Sequence, residues 1–590
     1  MTKKGVASKV KKLPKKKTYS FYRAIDERDD LKQIGSNILT LFALQLFFGI
    51  EDITEVVAND IIVDGSDDEG LDIVYVDRER RLAVITQEYE SSAGSRKKSA
   101  PAKKARDISS GLSALLGAPI KDVPGPLKSA AEEIKEALEE GAIDEVHIWY
   151  VHNLPGSKDI ARKMKLVETT AGAFLKKYKV KCFGIEMSAD LIENEYKSKS
   201  TPILVNDDFS VPVSSFLSTQ GTNWKSVVVS VPISWLYEQF NKYKTDLFSA
   251  NLRDYLGTRK KDKDINKGIQ VTAENDSDHF WIFNNGITAL VNSFSIKDNI
   301  LRFSGLSILN GAQTTGAIGN LRKVPSVKGL VQMRLIHCVD EPTVEDIKKY
   351  NNRQNKVEAY DFRSIDSNQN RLTKDLEKLG VSYLLRRGGV EDIIKKKTGS
   401  ISAVVVSQVL AAFQGRPDIA YHQKTNIWED DSLYGRYFNN QLSGSHIIFS
   451  YSLFESVRKR KIALLKKSKK GGLTKDEERE LDFFQTRGSV FLLTSAVAEC
   501  LEVITNQAIP NRFRLCFSSK TSMDEGVNIW TDIIDIVISF STTLKKGFSS
   551  GAIRQTEAAD AIREVATMVS AVKKPNSKIF SDFTDKIKQS

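Results

Sequence analysis

Only four cysteines stand among 590 residues: Cys182, Cys338, Cys500 and Cys516. They are far apart, and no CxxC or Cys/His cluster occurs, so the ligand spacing of a structural zinc site is missing. So few, scattered thiols fit a reducing compartment, and a cytoplasmic protein is expected. Long apolar runs are missing too. None approaches the ~18 residues of a membrane span, so no membrane partner is expected. The first residues, MTKKGVASKVKKLPKKK, are basic but lack the apolar stretch of a secretory signal. There is no Ser-His-Asp, zinc-protease or dinucleotide-binding signature.

The length is too great for one core and gives a prior of about three or four domains. Hydrophobic content of 41% and charged content of 27% are those of a globular chain. The net charge is +12, and eight lysines fall within the first seventeen residues. Such a tail either binds nucleic acid non-specifically or only solubilises the chain.

Residues 1–18 read as a disordered basic tail. Residues 20–200 read as an α/β unit: a helix over 21–49 containing LTLFALQLFFG, strands at IIVDG, LDIVYVD and LAVITQEYE, a mobile Ser/Ala/Lys loop, then alternating helices and strands to VKCFGIEMS. Residues 201–225 look polar and linker-like. An α+β unit follows over 225–400, and 401–590 is mainly helical by periodicity. Thr474 and Glu477 there have the spacing of a helix-starting capping box.

Two sets of residues point to chemistry. In the first unit, Gly70-Leu71-Asp72 begins one strand and Thr86-Gln87-Glu88-Tyr89 ends the next. Acids on paired strands can hold a hard divalent cation that activates water and stabilises a transition-state phosphate. Period-2 alternation places residues i and i+2 on one face. The arrangement resembles the Mrr-like branch of the PD-(D/E)xK nucleases, which use G-x-D followed by Q-x-K. The resemblance implies a restriction-endonuclease-like fold, catalytic residues Asp72, Gln87 and Glu88, and Mg2+ held by Asp72 and Glu88. Tyr89 stands where the family has Lys, and carries no positive charge near neutral pH. Three readings stay open. A lysine comes from the following loop (Lys97, Lys98, Lys103 or Lys104), Glu88 or Glu90 serves with another geometry, or the unit is an inactive relic that binds DNA or a partner. A plain solvent-facing hairpin with an acidic turn (Asp64, Asp67, Asp68, Glu69) explains the same residues without any site.

The second set is three amide clusters within about seventy residues: Asn284-Asn285-Gly286-Ile287-Thr288, Asn310-Gly311-Ala312-Gln313-Thr314 and Asn351-Asn352-Arg353-Gln354-Asn355. Each Asn or Gln offers both a donor and an acceptor, so converging clusters could read hydrogen-bond edges. LSILN-GAQTT reads as strand, glycine turn and helix N-terminus, which suits a phosphate, though without the Lys of a P-loop. Arg353 could make a bidentate phosphate contact. The plain alternative is a buried polar network that caps helices and ties loops. His279 and His337 lie near the clusters, where a structural role is the usual one. Trp281 either stacks on a base or packs in the core.

These clusters, with LFSANLR at 247–253 and Asp361-Phe362-Arg363-Ser364, resemble the AIPR family, the abortive-infection phage-resistance proteins of bacteria, over about residues 225–425. The resemblance implies bacterial antiviral defence, often with a nuclease-like domain ahead of the AIPR region. The NGAQT element is also similar to the D-G-Q-H-R or D-G-Q-Q-R signature of ParB-like domains, some of which bind nucleotides. Asn310 replaces its Asp and Thr314 its Arg. Two functions are therefore expected in competition. One is a Mg2+-dependent nuclease that binds DNA or a nucleotide. The other is an inactive sensor or adaptor that recruits protein partners encoded alongside it, or forms homo-oligomers.

Overall fold

The computed structural model describes residues 19–50, 52–63, 69–91, 99–200, 203–248, 263–340, 343–344, 347, 363, 366–385, 400–549 and 551–589. The basic tail lies outside them. The helix expected over 21–49 is three: α1 (Phe21–Asp26), α2 (Asp29–Ile34) and α3 (Ile38–Phe48). Gly35 at φ +84° and Asn37 at φ +55° take left-handed backbone between the last two, which a continuous helix cannot accommodate.

Strands β1 (Ile73–Asp77), β2 (Leu82–Tyr89), β3 (Glu145–His152) and β4 (Lys181–Ser188) form a sheet in that order. The β1–β2 pair is antiparallel and the rest parallel. Arg81, at φ +57°, closes the hairpin, and Asp77 Oδ1 accepts the Arg80 N–H at 2.8 Å. Parallel strands must be covered on both faces. Here α3 covers Ile73, Tyr75, Leu82, Val84, Trp149 and Val151. The other face (Val74, Ala83, Ile85, Val146, Ile148) lies under α4 (Ala102–Leu112), α5 (Gly125–Glu139) and α6 (Lys158–Leu175). Of IIVDG, read as a strand, the described residues 61–63 supply a bridge from Ile62 to Ile73. After β4 comes α7 (Ala189–Ser200).

The stretch 201–225, read as a linker, contains two strands of a second sheet, β5 (Val205–Pro212) and β6 (Phe216–Gln220). That sheet has seven strands: β5-β10-β8-β11-β7-β6, with β9 on β10. The others are β7 (Trp224–Pro232), β8 (Ile287–Leu290), β9 (Ser293–Lys297), β10 (Ile300–Asn310) and β11 (Leu330–Cys338). Its core face packs against α8 (Ile233–Tyr243), α9 (Lys263–Asn275) and α10 (Ala312–Gly319). Gly311 turns β10 into α10 at φ +93°. A Cβ there would meet Ile287 Cγ2 at 2.7 Å, so only glycine fits.

From Ser400 on the chain is mainly helical around one large core. The 27-residue helix Gly444–Lys470 runs through it, and Trp530 Nε1 donates to Phe449 O at 3.2 Å. The Thr474/Glu477 capping box is formed, and a second one at Ser522/Glu525 accompanies it.

The N-terminal unit meets this helical region along a seam of charge. Arg487, 2% exposed, pairs with the equally buried Glu133 and donates to Val74 O at 2.8 Å. Lys424 pairs with Asp52 at 2.8 Å. Thr425 donates through N and Oγ1 to Glu79, each at 2.7 Å. Arg554 reaches Glu140 across the seam at 2.7 Å, and Arg78, within the N-terminal unit, reaches the neighbouring Glu136 at 2.9 Å. Removing one partner of a buried pair typically costs about 3–5 kcal/mol, whereas removing both can be neutral. Arg487→Met is therefore expected to lower the urea midpoint markedly, and Arg487→Met with Glu133→Leu to recover most of it. Equal destabilisation in the single and double variants would refute the pairing as the cause.

Candidate functional site

Asp72 sits one residue ahead of β1. Its N–H donates to Thr86 O at 2.9 Å, and its Oδ2 accepts the Glu88 N–H at 2.6 Å. Ile73, opposite Thr86, ends the ladder, and Asp72 beyond it is held against the Thr86–Glu88 stretch of β2 by these two bonds. Gln87 is opposite Tyr150 on β3, and Tyr150 is opposite Glu186 on β4. One polar row, Gln87, Tyr150 and Glu186, thus crosses β2, β3 and β4 on the α4 side. Gln87 is 2% exposed. Its amide nitrogen would lie 3.4 Å from a Cβ at Gly70, and its Oε1 has no hydrogen-bond partner. The Tyr150 hydroxyl donates to Pro101 O at 3.1 Å. Glu186 Oε1 accepts the Ser157 N–H at 2.8 Å and lies 3.2 Å from Nε2 of the fully buried His152. Sequence reasoning missed Tyr150, His152 and Glu186. Their signal is a polar group at every second position of strands that are otherwise apolar.

Glu88 faces the other way. Its Oε2 accepts both the N–H of Thr40 at 2.8 Å and the Thr40 hydroxyl at 2.6 Å. Burial pushes its carboxyl up to about 7, Thr40 opposes this, and Glu90 and Asp72 add to it. Tyr89 shares the Gln87 side and packs against the α4 core. Lys97 and Lys98, like Asp64, Asp67 and Asp68, lie outside the described residues. Lys103 and Lys104 are exposed on α4, and Glu69 accepts from Ser110 Oγ at 3.0 Å. Among the described residues no three His, Cys, Asp or Glu side chains group as a metal site. The set assigned to Mg2+, Asp72 with Glu88, does not fit it. Glu88 Oε2 already accepts two hydrogen bonds from Thr40 on the far side of the strand from Gln87, and burial raises its carboxyl to about 7.

Two of the three amide clusters meet. Thr288 of the first is opposite Asn310 of the second, and opposite Arg334 on β11. Gly286, at φ +81°, lies so close to Gln332 that a Cβ would come 2.8 Å from its carbonyl oxygen. Asn284 Nδ2 donates to Phe280 O at 3.1 Å and so closes the short helix Phe280–Phe283, while Asn285 is exposed. Thr314 is buried, Gln313 is half-buried and Asn310 is exposed. Arg334, a half-buried cation, joins this row without having been picked out in the sequence. The third cluster, Asn351 to Asn355 with Arg353, lies outside the described residues. Val344 and Ile347 ahead of it pack against Ile203, Leu290, Leu309 and Ile336. Beyond it, polar residues do structural work. Arg363 donates to Trp428 O at 2.6 Å and lies 4.2 Å over the Tyr434 ring. Gln369 bridges the hydroxyls of Tyr434 and Tyr383. His279 is exposed beside Asp276 and His337 is half-buried on β11, while Trp281 is partly exposed at 38%.

The structure combines an α/β unit docked on a helical region with a mixed sheet on which two amide clusters meet. Residues 248–573, more than half the chain, match the AIPR protein family, and the chain belongs to it. That membership points to a role in abortive infection against phage. The match includes both meeting amide clusters and stops short of the Asp72 hairpin. No curated protein and no solved structure matches the chain.

The Glu88 environment has a pH signature. Folded Glu88 keeps its proton up to about 7, against an ordinary value of 4.5, so between them the folded state binds more protons. Its contribution is complete below pH 4.5 and lost as pH rises through about 7. Glu79, pushed to about 7 by burial, acts in the same direction. Glu88→Gln should flatten, without abolishing, the fall in unfolding free energy across that window, measured by urea titration at several pH values. An unchanged slope would contradict the burial of this carboxyl.

Proposed function

We propose that this chain is an anti-phage defence protein that binds DNA and does not cut it at the Asp72 hairpin. The observation that carries the reading is the fate of the two residues after Gln87. Glu88 is turned to Thr40 and Tyr89 stands in the lysine position, so the two residues after Gln87 bring neither a second carboxylate nor a cation to Asp72. The net charge of +12 supports binding to a polyanion through counterion release. The row Asn310, Thr288 and Arg334 supplies amide, hydroxyl and guanidinium groups on one strip of the central sheet, which suits phosphate or nucleotide contacts. In this reading the nuclease-like unit is a sensor or adaptor, and protein partners carry out the defensive response.

A second reading, a Mg2+-dependent DNA nuclease, has one observation in its favour. Gln87 Oε1 is buried and unpaired beside Asp72, so one oxygen there awaits a partner. Labelled duplex DNA incubated with the protein in Mg2+ or Mn2+ separates the two. The proposal expects binding that weakens steeply with salt and no cleavage. Arg334→Ala is expected to weaken binding and to lower the salt slope by about 1. Divalent-dependent cleavage that Asp72→Ala and Gln87→Ala abolish would overturn the non-cutting claim.

A further inference from the structure

The two edges of the seven-stranded sheet are built differently. A free edge presents unpaired N–H and C=O groups, and monomeric proteins guard it with charge, proline or a cover. At one end β5 carries exposed Asp207 and Asp208 and finishes in Pro212. Asp207 is also held by Lys242 at 2.9 Å. At the other end, among the described residues, β6 has none of these guards. All five residues from Phe216 to Gln220 are exposed, Phe216 at 51% and Leu217 at 71%, and Trp224 beyond the turn is 38% exposed. Residues 213–224, VSSFLSTQGTNW, contain no charge and no proline. Among the described residues β6 pairs only with β7.

We propose that β6 is a dimer interface, at which the β6 strands of two copies of this chain pair antiparallel and join their sheets. A second copy fits because a strand paired with itself sets its own charges opposite each other, and like charges opposite are destabilising. β6 has none to oppose. With the two-fold axis at Ser218, Leu217 of one protomer faces Thr219 of the other, and Phe216 faces Gln220. The two Leu217 side chains then lie diagonally across the axis on one face, within reach of each other. The pairing satisfies the edge backbone and covers the most exposed apolar residue of the strand. β5, with two adjacent aspartates, cannot do the same without repulsion.

Sedimentation velocity of the full chain without DNA, over a wide concentration range, tests this. The wild type is expected to be a dimer that dissociates on dilution. Leu217→Lys is expected to be a monomer with an unchanged thermal midpoint, since Leu217 contributes little to the fold. Mixing Leu217→Lys with Leu217→Glu should restore a dimer, which general misfolding would not do. A wild type that stays monomeric at every concentration, or a dimer that survives Leu217→Lys, overturns the proposal. Neither outcome depends on whether the protein binds DNA.

Discussion

The buried guanidinium of Arg487 ties the helical region to the N-terminal unit. It neutralises Glu133 on α5 and satisfies the carbonyl of Val74 on β1, the edge strand of the first sheet. An edge strand needs a cover, and here the helical region supplies it with a charge as well as with bulk. The pairs around it, Lys424 with Asp52 and Arg554 with Glu140, repeat the arrangement with cations on the helical side and carboxylates on the N-terminal unit. Lys424, Thr425, Arg487 and Arg554 all fall within the residues that match the family. The N-terminal unit does not, yet its position is set by family-region side chains. Seams made of paired charge rather than apolar bulk give specific docking at little net gain in stability, because each ion must lose its water.

The same unit shows how strand periodicity decides chemistry. Gln87 and Tyr89 lie on one face of β2 and Glu88 on the other. Gln87 shares a row with Tyr150 and Glu186, while Glu88 turns to the other face to bind Thr40. The polar residues of the α4 face are held by backbone groups: Tyr150 by Pro101, and Glu186 by Ser157. Gln87 Oε1 is the exception.

The sequence was legible where the pattern was strong. The hairpin at Arg78 to Arg81, the strands EVHIWYVH and KCFGIEMS, the glycine turn at Gly311 and the Thr474 capping box all stand where apolar periodicity and turn chemistry set them. Strands β5 and β6 were not legible. Asp207 and Asp208 interrupt the apolar alternation of the first, and the second is an exposed edge whose residues need not be apolar at all. The break after α2 rests on left-handed backbone at Gly35 and Asn37 inside a strongly apolar stretch. Within the candidate site, the alternation read from the sequence sets Gln87 and Tyr89 on one face and turns Glu88 to the other. Arg334 was hidden because its row is assembled from three strands distant in sequence.

The central claim is that the Asp72 hairpin carries no catalytic metal centre. Titrating Mn2+ into the full-length protein, followed by the relaxation of water protons, tests it without relying on a substrate. The account predicts the same weak, non-saturating response for the wild type and for Asp72→Ala. A saturable site in the wild type that Asp72→Ala removes would contradict it.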